Sequence, residues 1–209
     1  MYFIDSDLNM EGKMNAASAI LQVIDKHTSD EYLCHDGCMA LWKGTEGNSA
    51  IHKKICEEGG LKVLLKVLTN HSGNKTILET CCFAIGVILS SREIYNEFKT
   101  NNIDDYNEVL GAIEGCYERN KSNNQIKQAY FGLKREEDPR VVEAVKRGEC
   151  TKKRVFDPPQ KGYRCYTCEK YERGTKFYCE TCWKKDHQGH ECEEFFYPVR
   201  CLTKESPHL

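Results

Sequence analysis

The end of the chain crowds metal-binding side chains into a regular order. Cys150 stands alone, Cys165 and Cys168 form a pair with two residues between them, and Cys179 and Cys182 form a second such pair. His187 and His190 follow with the same spacing, then Cys192 and Cys201. A two-residue gap lets both donors of a pair turn onto one ion, and Zn²⁺ takes four thiolate or imidazole ligands in a tetrahedron. The surrounding stretch, GYRCYTCEKYERGTKFYC, holds too few large aliphatic residues to close a core by itself. So small a domain ordinarily needs a staple, and a metal supplies one. Eight donors, Cys150, Cys165, Cys168, Cys179, Cys182, His187, His190 and Cys201, are enough for two closed four-coordinate sites, so about two zinc ions are expected. Cys192 and His208 stay open as substitutes for one of the eight.

Two closed sites leave no coordination position for a reacting water, and no Glu stands beside a ligand His in an H-E-x-x-H arrangement. A hydrolytic zinc is therefore not expected, and the protein is read as a non-catalytic binding protein. The chain holds 13 cysteines, an odd number. The first residues carry Asp5, Asp7 and Glu11 and no apolar run, so no secretory signal is expected. Both features speak against a disulfide framework and for a reducing compartment, cytoplasmic or nuclear. Cys34, Cys38, Cys56, Cys81, Cys82 and Cys116 are scattered along helix-like sequence and are expected to fill core space. Cys34-His35-x2-Cys38 has the look of half a metal site, but its counterpart one repeat later, Leu78-Glu79-x2-Cys82, does not. No stretch approaches the roughly 18 apolar residues of a membrane span. A net charge of −2 gives no field to draw nucleic acid. Protein or peptide partners are expected instead. The basic run from Lys146 to Arg154 is interrupted by Glu149 and reads as a solvated linker.

Upstream, residues 13–133 read as helices. Shifted by 44, Leu21 falls on Leu65, Val23 on Val67, His27 on His71, Cys38 on Cys82, Ala40 on Ala84 and Leu41 on Ile85. A period in the low forties is the mark of stacked helical repeats, in which each unit leaves an apolar face for its neighbour to cover. NSAIHKKICEEGGLKVLLKVL, with a short helix, the Gly59-Gly60 turn and a long apolar helix, resembles the armadillo repeat. A third and looser unit runs through NNIDDYNEVLGAI, an inserted YERNKSNN loop and QIKQAYFGL. The expected architecture is mainly α: an N-terminal segment over 1–12, an armadillo-like α-solenoid of about three repeats over 13–147, and a small irregular zinc-binding domain over 148–209. Within the charged stretch before the zinc domain, Pro139 and Gly148 bracket a short predicted helix, VVEAVKR, and PPQKG at 158–162 reads as a loop.

The tail, CTKKRVFDPPQKGYRCYTC…FYCETCWKKDHQGHEC…VRC, resembles the UBR box, the zinc domain of N-degron-recognising ubiquitin ligases. The resemblance implies that Cys165, Cys168, His187 and His190 bind one zinc and that Cys150, Cys179, Cys182 and Cys201 bind a second, with Cys192 spare. It implies a substrate- or peptide-recognising scaffold in a ubiquitin-dependent pathway. Three departures stand against the family pattern. Cys201-Leu202-Thr203-Lys204 replaces the usual Cys-Asp-Cys-Gly, so a third zinc site is missing. Tyr171 and Leu202 stand where acidic residues grip a basic N-terminus, and Glu205 alone keeps an acid. The ZZ-type finger and the B-box finger share parts of the pattern and are the alternative readings. A ubiquitin ligase acting by itself is a third, weakened by the lack of a RING cross-brace or room for a HECT domain.

Overall fold

A computed structural model describes residues 9–135, 146–147, 160–166, 177–187 and 189–197. The chain divides into two compact units, Met1–Leu133 and Lys134–Leu209. The boundary expected at 147/148 and the helix expected at VVEAVKR fall largely outside the described residues.

The described residues of the first unit build helices: α1 (Met10–Lys26), α2 (Glu31–Thr45), α3 (Ser49–Glu57), α4 (Gly60–Asn70), α5 (Lys75–Ile88), α6 (Arg92–Asn101), α7 (Ile103–Arg119) and α8 (Asn124–Lys134). Side-chain caps start many of them. Asn9, Asp30, Asn48, Asn74 and Asn123 each accept from the backbone N–H three residues on, at 2.8–3.3 Å. Such a cap satisfies one of the donors that a helix start leaves without an intrahelical partner.

The 44-residue offset of the sequence recurs in these caps. Asp30 and Asn74 are 44 residues apart, and each caps a helix that begins at the next residue. His27 and His71 each end the helix before. Between them the same turn recurs, with Asp30 N–H donating to His27 O at 2.9 Å and Asn74 N–H to His71 O at 2.8 Å. It comes a third time as Asn123 N–H to Asn120 O, also at 2.8 Å. There α7 runs on to Arg119, so the loop expected over YERNKSNN shrinks to residues 120–123. The ring of Tyr117, within that stretch, stacks on Tyr130 at 4.6 Å and holds the helix on course.

Packing follows the same period. α1, α4 and α7 form one row, each touching the next, while α2 lies on α5 and α3 on α6. Polar links join equivalent places in successive units. Lys66 reaches Asp25, Lys53 reaches Glu97 and Lys62 reaches Asp105, at 2.7–3.1 Å. Asn74 Nδ2 donates to Glu31 at 2.9 Å. One continuous core runs beneath, and its wholly buried members include Ile24, Leu41, Ile51, Leu64, Ile85, Ile113 and Ile126. Burying each such side chain contributes about 1.5–3 kcal/mol.

Glycine serves two purposes at the α3–α4 junction. Gly59 has φ +74°, a left-handed conformation that lacks the Cβ penalty only in glycine. Gly60 is there for space: a Cβ on it would lie 2.9 Å from the Ile55 carbonyl oxygen and 2.9 Å from Leu21 Cδ1.

The second unit contains β1 (Gln160–Cys165), β2 (Phe177–Cys179), a short helix α9 (Glu180–Asp186) and β3 (Cys192–Tyr197). The strands form an antiparallel sheet in the order β2-β1-β3. Gln160–Gly162, read from the sequence as loop, pair with Tyr197–Phe195 in this sheet.

Candidate metal centre

In β1 the side chains alternate between faces, as in any strand. Tyr163 and Cys165 share one face, and both are buried. The register puts Tyr178 of β2 opposite Tyr163, and Cys192 of β3 opposite Cys165. One face of the sheet thus carries Tyr163, Cys165, Tyr178 and Cys192. Helix α9 covers it: Cys182, wholly buried, packs with Cys165 and Tyr178, and Trp183 and Cys192 close over them. The Trp183 ring stacks on Tyr163 at 4.3 Å with 12° between planes. Aromatic area therefore does the packing that aliphatic side chains do in the first unit.

Two histidines arrive at this face by local geometry. His187 extends the last turn of α9, its N–H donating to Trp183 O at 2.9 Å. The chain then reverses. Gly189 sits at φ +88°, and His190 N–H donates to His187 O at 3.1 Å. This turn brings the second imidazole back beside the first, with ring centroids 5.6 Å apart. Tyr178 lies 4.0 Å from the His187 ring and supports it from the sheet.

Cys165, His187 and His190 therefore converge, with one donor atom from each lying within 4.8 Å of the others. Cys165 Sγ is 3.4 Å from His190 Nδ1. Cys165 and His187 are buried, while His190 is exposed. A thiol and two imidazoles at this separation can hold a metal ion. One thiolate and two imidazoles also suit a borderline-soft divalent ion of the zinc type better than a hard, oxygen-seeking one.

These three residues belong to the set of four expected to share one ion. The fourth, Cys168, lies outside the described residues, as do Cys150 and Cys201. Of the other expected set, Cys179 is placed in β2 opposite Gly162, its side chain outside what is described. Cys182 packs beside Cys165 but is not part of the three-residue cluster. The contacts of Tyr178 and Trp183 and the cross-strand position of Cys192 are not legible in the sequence, because strand register decides them and a three- or six-residue strand has too short a pattern to reveal it.

In the first unit Cys34, Cys38, Cys81, Cys82 and Cys116 are buried among core residues. His35 faces Asp36, its Nδ1 3.0 Å from the carboxylate, rather than the two cysteines beside it in sequence. Burial pushes the Cys34 thiol up to about 11, with Cys38 and Asp30 adding to the rise. Burial likewise pushes Cys56 up to about 12, helped by Glu97 and Glu57. Thiols held protonated in this way are poor metal ligands and poor nucleophiles. Among the described residues, Cys165, His187 and His190 are the cluster suited to an ion, and no helix is long and apolar enough to cross a membrane.

No protein-family model matches the chain, and no curated protein matches it.

Proposed function

We propose that this protein is a zinc-dependent interaction module, an armadillo-like helical scaffold joined to a UBR-box-like zinc domain, which presents or captures peptide segments in a ubiquitin-linked, N-degron-like pathway. The reading is carried by one observation. A residue of a strand and two residues around the end of a helix, far apart in sequence, deliver Cys165, His187 and His190 to one point. Cys168, three residues beyond Cys165, is positioned in sequence to complete a four-ligand site. The remaining ligands, Cys150, Cys179, Cys182 and Cys201, supply a second zinc in this proposal.

Binding rather than catalysis is the role this donor set favours, since four protein ligands on each ion leave no place for a reacting water. The helical unit supports a scaffold role through its periodic stacking, which builds extended surface from nearest-neighbour contacts. Its armadillo character rests on the three-helix period and on the Gly59-Gly60 turn.

Two measurements test the proposal. Metal analysis of the purified protein is expected to give about two zinc per chain, and a value near zero overturns the zinc domain. Binding of peptides that differ only at their first residue then tests the degron role. Discrimination among them supports it, and uniform binding reduces the protein to a scaffold.

A further inference from the structure

Cys192 has no part in the ligand set proposed above, yet its place in the sheet is not neutral. It stands directly across from Cys165 in the antiparallel β1–β3 pair. The next pair outward is hydrogen-bonded, with Tyr166 N–H donating to Glu191 O at 2.9 Å. Hydrogen-bonded and non-hydrogen-bonded pairs alternate along an antiparallel ladder, so Cys165 and Cys192 form a non-hydrogen-bonded pair. In such a pair the Cα atoms are about 4.5 Å apart and the side chains share a face. Disulfides span Cα separations of about 4.4–6.8 Å, so this pair can be bridged with little backbone movement. Both sulfurs are thiols here. Cys165 is wholly buried and Cys192 only partly, so an oxidant meets Cys192 first.

We propose that Cys165 and Cys192 are a peroxide-sensitive pair whose cross-strand disulfide withdraws Cys165 from the metal cluster. Hydrogen peroxide oxidises the Cys192 thiol to a sulfenic acid, and the peroxide O–O bond breaks to release one water. The Cys165 thiol gives up its proton and its sulfur attacks the Cys192 sulfur; the S–S bond forms as the S–O bond breaks, and the departing hydroxide takes up that proton to leave as a second water. The two sulfurs together give up two electrons, and peroxide takes them. With its sulfur in a disulfide, Cys165 no longer offers a thiolate, and the cluster would have only its two imidazoles left to hold an ion. The loss of metal rests on the zinc reading above; the disulfide does not.

Cys182 packs in the same cluster and is the competing partner. It sits on α9, however, and not on a strand paired with β1. The test uses the full chain, reduced and zinc-loaded, exposed to hydrogen peroxide. Peptide mapping without reductant is expected to find Cys165 linked to Cys192, and a zinc-sensitive dye is expected to report release on the same time course. C192S and C192A are expected to take up zinc as the wild type does and to release it about tenfold more slowly under peroxide. Release from both variants at the wild-type rate overturns the proposal. So does a dominant link through Cys182, or failure of both variants to take up zinc, which would make Cys192 a structural ligand. Metal-free chain is mapped in parallel. A Cys165–Cys192 link in a protein that never binds zinc would sink the zinc reading and leave the pair standing.

Discussion

His71 Nε2 lies 2.8 Å from the carbonyl oxygen of Thr28, across 43 residues of chain. The carbonyl accepts, so the imidazole holds its proton on that nitrogen. Asn70 Nδ2 reaches the same oxygen at 3.3 Å. The end of α4 is thereby tied to the turn that follows α1.

His27 and His71 hold equivalent places, each capping the end of its helix, but only His71 is buried against a preceding unit. His71→Ala is expected to lower stability by about 1–2 kcal/mol through loss of a buried hydrogen bond. His27→Ala, at an exposed position, is expected to change it by less than about 0.5 kcal/mol. Urea denaturation of both variants followed by far-ultraviolet circular dichroism checks the contrast. Equal effects would mean that the link between units contributes nothing.

Two glycine substitutions should act with opposite signs. Gly60→Ala places a methyl group against the Ile55 carbonyl and is expected to cost about 1–3 kcal/mol through overpacking. Gly111→Ala lies on an exposed face inside α7 with nothing within 4 Å, and is expected to add about 0.5–1 kcal/mol of helix stability. Thermal melts of the pair read both at once.

Stability should fall on the alkaline side. The Cys56 thiol has an ordinary value of 9.0 and is held up to about 12 in the folded protein, chiefly by burial. Above 9.0 the unfolded chain releases this proton while the folded chain keeps it, so unfolding gains ground as pH rises, until the folded thiol also ionises near 12. Cys34, held up to about 11, acts in the same direction. Urea midpoints measured from pH 8 to 11 should decline, and Cys56→Ala should flatten that decline. A variant with an unchanged slope would count against burial as the cause.

On the zinc reading, a chelator should act on the second unit and spare the first. A chelator is expected to unfold the sheet and α9, because in small zinc domains metal binding is folding free energy. The core of α1–α8 is built mainly from aliphatic side chains, with none of the expected metal ligands, and should keep its helical signal. Trp183 fluorescence should report the first loss, with circular dichroism near 222 nm largely retained. His187→Ala should mimic the chelator in the second unit alone.

The helical unit was legible because its signals are local and repeated. The apolar spacing around Leu21 and Leu65, the glycine pair at 59–60 and the 44-residue offset all lie in the order of the residues. Helix ends were less so. The run YERNKSNN looks like loop from its polar content, yet Tyr117 and Arg119 remain helical because the Tyr117 ring finds Tyr130 and Phe131. At the candidate metal centre the donor types and spacing were plain in the sequence, and three of the donors meet. The sheet that brings them together was not. Its strands are short and rich in aromatic residues, and Gln160 and Lys161 become strand only by pairing with a segment more than thirty positions later. Cross-strand partners such as Cys165 and Cys192 are set by that register and by nothing adjacent to either residue.

The ladder of links between residues 41–44 positions apart has a consequence for how this chain can change. Each rung joins a unit only to the next, and the partners differ from one junction to the other: Lys66 with Asp25 and Asn74 with Glu31 at the first, Lys53 with Glu97 and Lys62 with Asp105 at the second. Losing part of a period would set His71, Lys66 and Asn74 against the wrong neighbours. Such a protein carries the order of its units in its polar links, so exchanging or copying one unit would leave those rungs without their partners.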